Sequence, residues 1–186
     1  MALEAFATAA QMASRSQGAI PAGTPFLDDE LKAATQLIRN YCGWRIADQA
    51  AEDIWLDRLS GPALFLPSLH VVSVDALVVD GVTADTSDLK WLSDGRLSAP
   101  YWVPVGQSAK VTITHGLTAA PPEIVSLTLQ VAARALGSPL GIVREQAGAV
   151  SVTYSQAGFN IAGGSVLLPH EKLQLDGSPY KIGWTA

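Results

Sequence analysis

The alternation of apolar and polar positions changes character several times along the chain. Leu27, Leu31, Ala34, Leu37, Ile38, Tyr41 and Cys42 recur at intervals of about a helical turn, which places them on one face of a helix. Asp28, Asp29 and Glu30 fall in its first turn, where the helix dipole favours negative charge, and Gly43 follows as a left-handed cap. A shorter helix is predicted over Leu3 to Arg15 from the spacing of Leu3, Phe6, Ala10 and Ala13. The helix breakers that follow, from Ser16 through Gly18, Pro21 and Gly23 to Pro25, end it.

From Asp53 to Gly116 the period drops to two. Val72, Val74, Ala76 and Val78 alternate with Ser73, Asp75 and Leu77, and Asp80-Gly81 supplies a tight hairpin turn. Asp94-Gly95 supplies a second one between Lys90 to Ser93 and Arg96 to Ser98. Lys110, Thr112 and Thr114 then alternate with Val111, Ile113 and His115. This is the signature of a small antiparallel β unit. Pro121-Pro122-Glu123 opens another helix, running to about Leu136 and closed by Gly137-Ser138-Pro139. Its apolar residues, among them Ile124, Leu127 and Val131, extend around much of the circumference, so more than one side must be covered.

The last fifty residues are broken up by glycine. Val150, Val152 and Tyr154 alternate as in a strand, and a helical turn is predicted near Pro169 to Leu175. Gly158, Gly163, Gly164, Gly177, Pro179 and Gly183 punctuate the rest. Leu167, Leu168, Leu173, Tyr180, Ile182 and Trp184 have too little local core to stand alone, so they pack either on their own domain or on a partner. The fold class read from this pattern is α+β. It divides into N-terminal helices (1–51), an inserted β unit (52–118), a third helix of the same domain (119–138), and a β strand with an extended C-terminal arm (139–186).

Composition narrows the chemistry. With 186 residues, 48% of them hydrophobic and 16% charged, the chain is long and apolar enough to bury a core, and its length favours one domain. Twelve Lys and Arg against seventeen Asp and Glu give a net charge of -5, which argues against a broad phosphate-binding surface. The acid excess lies mainly in residues 52–118, with eight acidic and four basic side chains. The single cysteine excludes an internal disulfide and a paired-cysteine zinc or redox site. No run nears the roughly 20 apolar residues of a membrane span, and Glu4 in an interrupted N-terminal stretch does not read as an export signal.

Candidate catalytic groups are sparse. The chain lacks a Gly-x-Ser-x-Gly elbow and a phosphate loop, and Gly163-Gly164-Ser165 has no lysine to neutralise phosphate. His70, His115 and His170 are far apart in sequence and lack the i, i+4 spacing of a helical metal site. Cys42 could act as a nucleophile paired with a histidine, but it falls on the apolar stripe of its helix, which favours a buried hydrophobe. Asp53 and Asp57 could form an acid and base pair, yet with Arg58 they flank Ile54 and Trp55 as an exposed strand or turn would. The five tryptophans, including Trp44, Trp91 and Trp102, fit core or interface packing better than stacking on sugars or bases. This reading expects no catalytic site, cofactor or metal.

Particular strings carry the reading further. Ile38-Arg39-Asn40-Tyr41-Cys42-Gly43-Trp44-Arg45-Ile46 closes the main helix, and Leu66-Pro67-Ser68-Leu69-His70-Val71-Val72-Ser73-Val74 leads into the first hairpin. Thr114-His115-Gly116 then precedes Pro122-Glu123 and Ala132-Ala133-Arg134, and Ser138-Pro139 leads to Arg144, Glu145 and Gly148. Over roughly residues 27 to 155 this order resembles the head-to-tail adaptor (connector) proteins of long-tailed bacteriophages, especially those of actinobacterial phages.

The resemblance implies a non-enzymatic virion protein made in the host cytoplasm and placed at the head-tail junction. Its partners would be the portal protein, a tail-side connector (stopper) and copies of itself in a ring, usually dodecameric, through which DNA passes without specific binding. Residues 27–43 and 122–136 would form the ring body, with Ile124, Leu127 and Val131 at the subunit interface. The C-terminal segment would dock on the portal through Leu173, Tyr180 and Trp184. Another connector-ring protein, a stopper or tail terminator, is the nearest alternative; a small enzyme with a Cys or carboxylate site and a glycan-binding module are the more distant ones.

Overall fold

A computed structural model of the chain describes residues 4–56, 63–79, 81–87, 89–98, 109–137, 144–147, 150–153 and 166–182. The architecture is α+β, with four helices and mainly antiparallel strands among those residues. It clusters into two compact units. One joins Met1–Cys42 to Ala120–Lys181, and the other holds Gly43–Ala119 with Ile182–Ala186.

The helical unit starts with α1 (Ala9–Arg15), whose first turn is closed by a reciprocal cap. The Gln11 amide donates to Thr8 Oγ1 at 3.2 Å, and the Thr8 amide donates to Gln11 Oε1 at 2.8 Å. Phe6 lies before this helix rather than on it, yet it is buried, with the Arg39 guanidinium 4.5 Å from its ring centre. Helix α2 (Leu27–Cys42) buries Leu27, Leu31, Ala34, Ile38 and Cys42, the stripe its spacing predicts. Each fully buried Leu or Ile here contributes about 2 kcal/mol of transfer free energy. Gly43 takes φ +83° at the predicted left-handed position.

Helix α3 (Pro122–Gly137) packs against α2 and α1. Its buried Thr128 returns its hydroxyl to the Ile124 carbonyl at 2.8 Å, as Thr35 of α2 does to Leu31 at 2.8 Å, so neither polar group is left unsatisfied. Strands β8 (Arg144–Ala147) and β9 (Val150–Thr153) pair as an antiparallel hairpin, of which only the second strand is legible in the sequence. Helix α4 (Pro169–Asp176) follows. Leu167, Leu168, Leu175 and Glu171 are all buried, so residues 166–181 pack within this unit. That corrects the expectation of an extended arm for this stretch. Residues 154–165 and 183–186 lie outside the described residues.

In the β unit, β1 (Ala50–Leu56), β3 (Val71–Val79), β4 (Val82–Ala84) and β7 (Ala109–His115) form an antiparallel sheet in the order β1-β7-β3-β4. A second sheet, in the order β2-β6-β5, joins β2 (Ala63–Phe65), β6 (Arg96–Ser98) and β5 (Lys90–Trp91). Leu66, Val71, Leu77, Leu97, Ala109, Val111 and Ile113 make the core. Strand β7 keeps the predicted alternation without a fault: Ala109, Val111, Ile113 and His115 point inward.

Strand β3 does not. Register irregularities between Val71 and Ser73 and between Val74 and Ala76 each insert an extra residue, which shifts the inward phase. Val71 and Leu77 are therefore buried while Val72 is 38% exposed, against the simple alternation of Val72, Val74, Ala76 and Val78. The compact β unit also opens at Gly43, before the boundary at residue 52 that periodicity suggests, because Trp44, Ile46 and Ala47 are already buried.

Gly95 anchors the second hairpin. It has φ +89°, and a Cβ there would sit 2.4 Å from the Ser68 carbonyl oxygen and 2.7 Å from that of Leu66. Its own carbonyl accepts from the Leu66 amide at 2.8 Å. Gly81 has a similar φ of +80° but open space around it. Gly95→Ala should therefore cost at least about 3 kcal/mol, and Gly81→Ala only about 1 kcal/mol. Urea denaturation of the two variants measures the difference, and equal losses would contradict the steric argument.

Candidate functional site

The residues capable of chemistry are spread out. Cys42 is buried on the α2 stripe, and burial pushes its thiol pKa up to about 12, which makes it an inert hydrophobe. Asp53 lies on the solvent side of β1. A hydrogen bond from Lys110, at 2.7 Å, and one from the Thr112 hydroxyl, also 2.7 Å, hold its carboxyl below the usual range. Asp57 and Arg58 lie outside the described residues, so the Asp53–Asp57 pairing has no described partner. Among the described residues no three His, Cys, Asp or Glu side chains form a metal-holding group, and no helix is long and apolar enough to cross a membrane. Gly163, Gly164 and Ser165 also lie outside.

One partly buried polar cluster does form. Ile46 and Asp48 both have left-handed φ, +61° and +62°, and the loop they shape returns Arg45 toward the start of β1. The Arg45 guanidinium bonds Glu52 of β1, and its Nε donates to the Asp48 carbonyl. Glu52 Oε2 lies 3.2 Å from His115 Nε2 on the neighbouring strand β7. A carboxylate only accepts, so the imidazole proton sits on Nε2, leaving the buried Nδ1 without a partner. Burial, opposed by the Glu52 contact, lowers the His115 pKa below its ordinary 6.5. No nucleophile faces this imidazole from the cluster. Its effect is to tie the loop after α2 to the sheet. The inward place of His115 in the β7 alternation signals it in sequence, whereas Arg45 and Glu52 carry no such mark.

Polar contacts from α2 and α3 hold the C-terminal segment on the helical unit. Arg134 of α3 donates to both oxygens of Glu171, at 2.7 and 3.1 Å, and Glu171 in turn accepts the Leu168 amide at 2.7 Å. Tyr41 donates to Asp176 at 2.8 Å, with Lys181 on the same carboxylate and 4.3 Å from the centre of the Tyr41 ring. Tyr180 donates to Glu123 at 2.6 Å, a bond that raises the phenol pKa to about 12 and lowers that of Glu123.

The residues expected to meet partners fare differently. Ile124, Leu127 and Val131 are at most 2% exposed within the single chain, so they fill its own core instead of a subunit interface. The circumference of α3 is apolar because α1 and α2 both pack on it. Leu173 is exposed, Tyr180 is half-buried against Glu123, and Trp184 lies outside the described residues. Trp44 is buried, while Trp55 and Trp91 reach solvent; Trp102 lies outside the described residues.

Exposed apolar side chains instead mark other places: Phe26, Trp55, Val82, Leu92 and Leu173. Two open grooves accompany them. One, of about 320 Å³, is lined by Lys90, Trp91, Leu92, Arg96, Leu97 and Ser98. The other, of about 310 Å³, lies in the helical unit between Leu37, Asn40, Tyr41, Val166, Leu167 and Lys172. No protein-family model matches the chain, and no curated protein sequence matches it.

Two measurements probe the buried ionic contacts. Arg134→Met should leave Glu171 buried without its partner and cost about 3 kcal/mol in urea denaturation, whereas a loss under 1 kcal/mol would mean that the pair does not hold the segment. For His115, a folded pKa below the unfolded one means that the unfolded chain binds more protons in this window. Stability is therefore intact above about pH 6.5 and falls as pH drops toward the folded pKa, by at most about 1.4 kcal/mol per unit. His115→Leu should flatten that limb. An unchanged slope between pH 7.5 and 5.5 would assign the dependence to other groups.

Proposed function

We propose that the chain is a structural component of a bacteriophage head-tail connector, an adaptor subunit that acts by assembling with copies of itself and by binding a portal protein and a tail-side connector. The observation that carries this reading is the architecture: α2 and α3 pack together as one helical unit although the entire β unit is inserted between them. That is the arrangement the resemblance over residues 27–155 implies, and a stopper or tail terminator would be more β-dominated. The scattered reactive groups, with a thiol pushed to about 12 and an exposed aspartate held by Lys110, also suit a protein without turnover.

In this role the helical units form the ring body. The subunit contacts fall to exposed apolar side chains, since Ile124, Leu127 and Val131 are internal. Portal docking falls to the surface around Leu173 and the groove beside Tyr41. The acid excess of the β segment suits a conduit, because a wall that repels phosphate lets DNA pass where a basic one would hold it. Electron microscopy of the purified chain mixed with the portal protein of the same phage tests the reading. Rings with a central opening, seated on the portal, are expected. A chain that stays monomeric and leaves the portal bare would overturn it.

A further inference from the structure

Phe26 breaks two local rules at once. Its carbonyl accepts the Glu30 amide at 2.9 Å, the first bond of α2, so it occupies the cap position, where Ser, Thr, Asp or Asn would satisfy a free amide and Phe satisfies none. It also has φ +63°, a conformation costly for an aromatic residue. The strained backbone holds a phenyl ring 76% exposed to solvent. A ring this exposed gains little from the chain's own core, and breaches of local preference concentrate at functional positions.

The groove beside β5 has the matching character. Trp91 and Leu97 are register partners on β5 and β6, with Leu97 fully buried and Trp91 and Leu92 partly open. Lys90 and Arg96 flank these apolar side chains, although Asp94, 2.9 Å from Arg96, offsets part of that charge. At about 320 Å³ the groove is at the small end of ligand-sized clefts, which run from roughly 300 to 1,000 Å³, so it suits an inserted side chain better than an extended segment.

Of Phe26, Leu173 and Trp55, the most exposed side chains with charged neighbours to compare, charge favours one. Phe26 is followed by exposed Asp28 and Asp29. Leu173 follows Lys172, which would meet Lys90 with like charge, and Trp55 has the Lys110 ammonium 6.0 Å from its ring centre. We infer that Phe26 of one copy inserts into the Trp91–Leu92 groove of the next, with Asp28 and Asp29 facing Lys90 and Arg96. Knob and groove are different surfaces, so the contact is head-to-tail, the kind that propagates from copy to copy and closes into a ring. This inference rests on the proposed self-assembly and names the surfaces that carry it.

The test is the self-association constant, by sedimentation equilibrium of the full chain, alone and bound to the portal. Phe26→Asn restores a capping side chain and tolerates the left-handed backbone, so it should raise the melting temperature while weakening association about 30-fold or more. A purely structural role for Phe26 could not give those opposite signs. Lys90→Glu should weaken association about fivefold, and adding Asp28→Lys to the same chain should recover it. Rings that form as tightly with Phe26→Asn, or a charge reversal without recovery, would overturn this contact and leave the adaptor reading standing. A wild-type chain that is monomeric in both settings would overturn both.

Discussion

The packing of α3 on α2 is the contact on which the helical unit depends. Both helices are amphipathic or more than amphipathic, and neither could hold its apolar side chains in water alone. Their pairing closes a loop that contains the whole β unit, so its conformational cost is set by a long connection and offset by the burial of Leu31, Ile38, Ile124, Leu127 and Val131. The C-terminal segment depends on the same contact, because Arg134 reaches Glu171 from α3 and Tyr41 reaches Asp176 from α2. Apolar pairing of the two helices thus fixes the platform on which the polar contacts act.

Much of this was legible in the sequence where one local period dominates. The α2 stripe, its Gly43 cap, the alternation of β7 and the Asp94-Gly95 turn all follow from spacing, because each depends on neighbours within one element. The two bulges of β3 were not legible: an extra residue in a strand leaves composition unchanged and only shifts phase. Glu171 was equally hidden. A glutamate on a short helix reads as exposed, and only the arrival of Arg134 from a distant helix makes its burial tolerable.

The same limit explains why the interface residues expected from α3 were misplaced. A helix apolar on several sides must be covered on several sides, but periodicity does not say by what. Here α1 and α2 do the covering, and part of the exposed apolar surface comes from positions that carry no periodic signal. Phe26 stands at a helix boundary, and Trp91 and Leu92 lie in and beside a two-residue strand. Elements this short are governed by backbone geometry and by what they meet, which a pattern over many residues cannot register.

Charge gives the final connection between fold and proposed role. Several carboxylates of the β unit are neutralised within it: Glu52 by Arg45, Asp53 by Lys110 and Asp94 by Arg96. Others are held by neutral donors. Asp75 accepts from the Ser73 and Thr114 hydroxyls at 2.8 and 2.9 Å, and Asp85 accepts from the Ser87 amide at 2.9 Å. A neutral donor leaves the charge uncancelled, and for Asp85 the Ser87 amide holds the carboxyl pKa below its ordinary value. Part of the net charge of -5 is thus carried by carboxylates held by neutral donors. A protein that gripped nucleic acid would need the reverse, cations left free of carboxylates. In the adaptor proposed above, such a pattern would let a polyanion pass where free cations would hold it.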